Sequence, residues 1–110
     1  MESSRRGPAR AQHYNDLAVA LRNAGRPQDA LPVARKAVEL QREYAEHGIP
    51  HARVILVSRL DHLADTLAAA GQREEAARVA AEATALDDKL MAEGVRDPPL
   101  EDLRAIRGRH

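Results

Sequence analysis

A chain of 110 residues with 17 Lys plus Arg against 17 Asp plus Glu has no cationic excess with which to displace the counterions of a nucleic acid. It contains no cysteine, which excludes disulfides, thiolate metal sites and a cysteine nucleophile. With two Tyr and no Phe or Trp it cannot build a base-stacking platform, and its core must come from Ala, Leu and Val, which fill space only where helix backbones approach closely.

Residues 1–10, MESSRRGPAR, are basic and are expected to form a disordered N-terminal segment. They have no apolar centre, so they are not a signal peptide, and no later run approaches the ~20 apolar residues of a membrane span. The sequence predicts a cytoplasmic protein, and its Arg-rich, Lys-poor usage fits a bacterial genome of high GC content. Residues 11–48 read as a helical hairpin. Tyr14, Leu17, Ala18 and Leu21 recur at helical spacing, and Gly25 stops the first helix. Pro27 opens the second helix at a position that needs no N–H, and Ala30, Val33, Ala34, Ala37, Leu40 and Tyr44 form its stripe. Gly48 followed by Ile49 ends it with a left-handed cap and an apolar contact. Pro32 conflicts with this pattern, since a proline deep in a helix costs ~3 kcal/mol. Either Asp29 is the true N-cap or the helix starts irregularly.

Residues 49–95 read as a second hairpin. Leu60, Leu63, Ala64 and Leu67 precede Gly71, and Ala76, Val79, Ala80, Ala83, Leu86 and Leu90 precede Gly94 and Val95. Connections this short force neighbouring helices to be antiparallel. Residues 96–110 are expected to hold a C-terminal capping helix and tail, with Asp97 as cap, Pro98 at its start and Leu100, Leu103 and Ile106 as its stripe.

The two hairpins are copies. Residues 13–48 and 59–94 align without a gap at an offset of 46, with eleven identities in 36 positions, including Leu17/Leu63, Gly25/Gly71, Ala30/Ala76 and Gly48/Gly94. An Ala-rich composition alone yields roughly three or four, so the chain holds an internal repeat. The pattern Leu17-Ala18, Leu21, Gly25, Asp29-Ala30, Ala34, Ala37 resembles a tetratricopeptide repeat, and Leu63-Ala64, Leu67, Gly71, Glu75-Ala76, Ala80, Ala83 repeats it. The resemblance covers about 80 residues. The 46-residue period is longer than the usual ~34, which is similar to elongated bacterial repeats of this type. The family's Pro after the second helix is replaced by Arg42 and Asp88, consistent with longer helices.

The resemblance implies an all-α array of antiparallel hairpins, two repeats plus the capping helix, that acts as a non-enzymatic protein-interaction module without a cofactor. The expected partner is a peptide or a partner helix, held on the concave face that the first helices line, with neither nucleic acid nor membrane as partner. Carried over by position, that face holds Gln12, Asn15, Val19, Arg22 and Asn23 from the first copy. The second contributes Ser58, Asp61, Asp65, Ala68 and Ala69. Asp61 and Asp65 stand one helical turn apart and favour a basic ligand. The competing reading is an ordinary solvated helix face. The Asn that clamps a terminal carboxylate in the best-known subtype is replaced by Val19 and Asp65, so that clamp is not expected.

Two other features carry alternatives. Val54 and Ile55 lie off the Leu56, Leu60, Leu63, Leu67 stripe, and their counterparts are Pro8 and Ala9. This apolar surplus suits either a homodimer contact or packing within the chain. His62 beside Asp61 and Asp65 could orient a general base or take part in ligand or metal binding. No nucleophile, phosphate loop or His-Glu-x-x-His pattern accompanies it, so no catalytic or metal-ligating residue is assigned and exposed polar helix residues are the simpler reading.

Overall fold

The computed structural model describes residues 2–95, with side chains from residue 9 onward. Its helices are α1 (Glu2–Asn23), α2 (Pro27–Glu46), α3 (Ala52–Ala69) and α4 (Arg73–Ala92), and no strand occurs among the described residues. The all-α expectation holds. The capping helix read in residues 96–110 lies outside the described residues. At the other end α1 begins at Glu2, so residues 2–10, expected as a disordered segment, are helical. Once a helix is nucleated, each added residue gains a backbone bond for the cost of ordering one residue.

The helix ends follow the glycines. Gly25 and Gly71 sit at φ 79° and 85°, in the left-handed region where a side chain is strained. That turn lets the Arg26 N–H donate to the Leu21 carbonyl at 2.9 Å and the Gln72 N–H donate to the Leu67 carbonyl at 2.8 Å. These six-to-one bonds satisfy carbonyls left open by the last helical turn. α2 and α4 close in the same way, the Ile49 N–H donating to Tyr44 and the Val95 N–H to Leu90.

Pro32 is accommodated within a regular α2. Pro27 starts the helix and Arg26 occupies the N-cap, so Asp29 is not the cap. Asp29 instead accepts from Arg26 Nε at 2.8 Å inside the first turn. Pro32 denies the Gln28 carbonyl its helical donor, but both residues are exposed, where water replaces the lost partner.

Each helix packs on the one before it, and α1 also touches α3. The core lies between the hairpins, where Leu56, Leu60, Leu63 and Leu67 of α3 meet Ala30, Leu31, Ala34 and Val38 of α2. α2 is thus buried on two sides, against α1 and against α3, which explains why Leu31, Val38 and Gln41 are buried beyond the single stripe read from the sequence. The buried Gln41 donates through Nε2 to the Ala52 carbonyl at 3.0 Å and ties α2 to the start of α3. The converse holds at the ends of the array. Leu17, expected in the core stripe, is 41 % exposed, whereas its counterpart Leu63 is 5 % exposed. Leu63 has α2 to pack against, and no hairpin precedes α1 among the described residues. Ala80 is exposed for the same reason at the other end, while its counterpart Ala34 is buried.

On the outer side, ion pairs join the hairpins. Arg35 forks onto Glu75 at 2.6 and 3.0 Å, and Arg42 forks onto Glu82 one heptad later at 2.5 and 3.0 Å. These hydrogen bonds hold both carboxyl groups below the usual carboxylate range. A carboxyl depressed in the folded state contributes stability above its unfolded value, ~4.3, and loses it as pH falls. Acidification through that range should therefore lower the melting temperature more in the native chain than in a Glu75→Gln/Glu82→Gln variant. The difference should be small, because all four partners remain partly exposed. Identical acid profiles in thermal melts would show that the pairs contribute nothing.

Candidate interaction face

α1 and α3 meet along a polar seam. Buried Ala11, Ala18 and Ala64 have no bulk to hold these helices apart. Early residues pair with early ones and late with late, as expected for two helices running in the same direction. Arg59 Nη2 donates to Gln12 Oε1 at 2.8 Å, and Gln12 Nε2 donates to Asp16 Oδ1 at 2.7 Å. Ten residues beyond Gln12 along α1, Arg22 Nη1 donates to the His62 carbonyl at 3.3 Å and to Thr66 Oγ1 at 3.4 Å. Thr66 Oγ1 also donates to the His62 carbonyl at 2.9 Å. Arg59 is buried, which pulls its guanidinium below its usual value, and the Asp16 carboxylate partly offsets this.

The residues placed on this face by sequence divide into two groups. Gln12 and Arg22 are engaged in the seam, Val19 is half-buried and Asn15 is buried. Asn23, Ser58, Asp61, Asp65, Ala68 and Ala69 are exposed. Arg59, Thr66 and Asp16 were missed. Their signal was present in part, because positions 59, 62 and 66 recur at helical spacing and form a polar stripe beside the leucines of α3. The two cations of the seam spend donors within the chain, while Asp16, Asp61 and Asp65 are exposed, so the accessible charge is acidic.

Val54 and Ile55 point to different places. Val54 is half-buried and lines a cleft between the hairpin ends with Ala45, Ile49, Leu90 and Val95, whereas Ile55 is 38 % exposed. Val54→Ser should lower the melting temperature, and Ile55→Ser should leave it nearly unchanged. A change of molar mass in Val54→Ser without loss of stability would contradict the placement of Val54 within the monomer.

His62 is half-buried, with its Nδ1 atom buried and without a partner among the described residues. No hydrogen bond joins its ring to Asp61 or Asp65, and both carboxylates are exposed. Among the described residues no group of three or more His, Cys, Asp or Glu is arranged to hold a metal ion. No helix among them is long and apolar enough to cross a membrane.

A hairpin closed at Gly25, stacked on a copy of itself and presenting its first helices on one side is the geometry of a helical-repeat module. Residues 10–46, which span the first hairpin, match the family model of the tetratricopeptide repeat. The first hairpin is therefore similar to a tetratricopeptide repeat. No curated protein and no solved structure matches it. Tetratricopeptide repeats in general form protein-interaction modules and are typically non-enzymatic scaffolds. In this chain the first helices of the two hairpins are α1 and α3, the pair whose polar seam is described above.

Proposed function

We propose that the chain is a non-enzymatic, cytoplasmic interaction module that holds a peptide segment or partner helix on the face formed by α1 and α3, and that it favours basic partners. The observation that carries this reading is the division of labour on that face. Gln12–Arg59 and Arg22–Thr66 clamp the two helices together. Asn23, Ser58, Asp61 and Asp65 remain exposed, with no hydrogen bond from their side chains to other described residues. A preorganised surface loses little entropy when a ligand docks, and two carboxylates one turn apart offer paired acceptors to Arg or Lys.

Selection of linear peptides from a displayed library against the full chain tests this. Selected peptides should be rich in Lys and Arg, and Asp61→Asn/Asp65→Asn should weaken them about tenfold, the effect of losing two partly exposed ion pairs. Glu74→Gln, on the first turn of α4, should have no effect. Peptides that bind the double variant as well as the native chain would overturn the reading.

A further inference from the structure

Among the described residues, the packing step that joins the two hairpins is left open at both ends of the array. Within the chain, α3 seats on α2: Leu63 is buried in the core cluster with Val38, and Leu31, Ala34, Val38 and Gln41 are buried on α2. Forty-six residues on, α4 presents the corresponding Ala77, Ala80, Thr84 and Asp87 to solvent. Forty-six residues back, α1 presents Leu17 in place of Leu63, 41 % exposed. Met91, near the end of α4, is 56 % exposed. Among the described residues, α1 thus carries an unused plug and α4 an unused seat, and both carry exposed apolar side chains.

We propose that copies of this chain associate head to tail, with α1 of one copy seated on α4 of the next as α3 sits on α2. Charge selects a second copy as the occupant. Consecutive helices in this array are antiparallel, so the start of α1, with exposed Arg10, meets the end of α4, with exposed Asp87 and Asp88. The Arg42–Glu82 pair that joins the hairpins within the chain maps, at the same offset, onto Asp88 of one copy and Lys36 of the next. The charges are exchanged but remain opposite, and both side chains reach solvent in the single chain. Such a contact joins two different surfaces, so it does not close on a two-fold axis and can extend into a row of copies. A row repeats the α1–α3 face at each step, which converts a weak site into a multivalent one.

The test uses the full chain, with molar mass measured by light scattering against concentration. The native chain should grow beyond the monomer as concentration rises. Leu17→Arg and Ala80→Arg each disable one surface, and each should stay monomeric with native helicity, since both positions are exposed. Mixed together they should form a one-to-one dimer, because each retains the surface that the other lacks. Lys36→Glu should weaken association about five- to tenfold, and adding Asp88→Lys should restore it. A native chain that stays monomeric up to millimolar concentration overturns the proposal. So does a mixture that fails to pair, which would mark a two-fold contact. A loss of stability in Ala80→Arg at unchanged mass would show that the chain's own residues 97–107 cover α4, and this also overturns it.

Discussion

Leu60→Ala should lower stability by about 2–5 kcal/mol, the range for truncating a fully buried leucine. Leu60 has no exposed surface, and it lies in the cluster where the second hairpin meets α2. The chain has two aromatic side chains and surrounds this leucine largely with alanines, leucines and valines. Alanines have no rotamer with which to move into a cavity, so the cost belongs at the upper part of the range. A small domain has only ~5–15 kcal/mol in total, so this variant should melt far below the native chain. The control is Leu17→Ala, which removes the same atoms from a side chain that is 41 % exposed. It should cost well under half as much in dilute solution, where copies are separate. Chemical denaturation of the two variants checks this, and equal losses would mean that Leu17 is packed like a core residue.

The second large effect comes from the opposite change in side-chain size. Ala34→Leu should destabilise by about 1–3 kcal/mol, because added methylenes in a packed contact force neighbours off their rotamers. Ala34 is 3 % exposed on α2 and belongs to the cluster shared with α3. Ala80→Leu introduces the same side chain at the same position of the repeat, yet Ala80 is exposed. In dilute solution it should change stability by less than about 0.5 kcal/mol. A loss in Ala80→Leu as large as that in Ala34→Leu would show that α4 is covered as α2 is.

These pairs of variants also mark how far the sequence could be read. The glycines were informative because a left-handed turn is a local requirement, and Gly25, Gly48, Gly71 and Gly94 all end helices with positive φ. The leucine stripe of α3 was equally legible, since 3.6-residue periodicity marks a helix face wherever it packs. What periodicity does not encode is position within the array. Asn15 and Asp61 are counterparts at the 46-residue offset, yet Asn15 is buried and Asp61 is exposed. α1 has a hairpin following it, and α3 has none among the described residues. A comparison of the copies contains that signal: Leu31 and Val38 on α2 become Ala77 and Thr84 on α4, as expected when one helix is covered and its copy is not. Arg59 escaped notice for a different reason. A buried arginine is unusual, and only the placement of Gln12 and Asp16 across the seam shows what holds it.

The α1–α3 face is tested most directly by nuclear magnetic resonance of the labelled full chain titrated with a selected basic peptide. The largest amide shifts should fall at Asn23, Ser58, Asp61 and Asp65, with smaller ones at Gln12 and Arg22, while the outer residues Arg35, Arg42, Glu75 and Glu82 stay in place. Shifts concentrated on α2 and α4, with the α1–α3 residues unmoved at saturation, would contradict the assignment of this face as the binding surface.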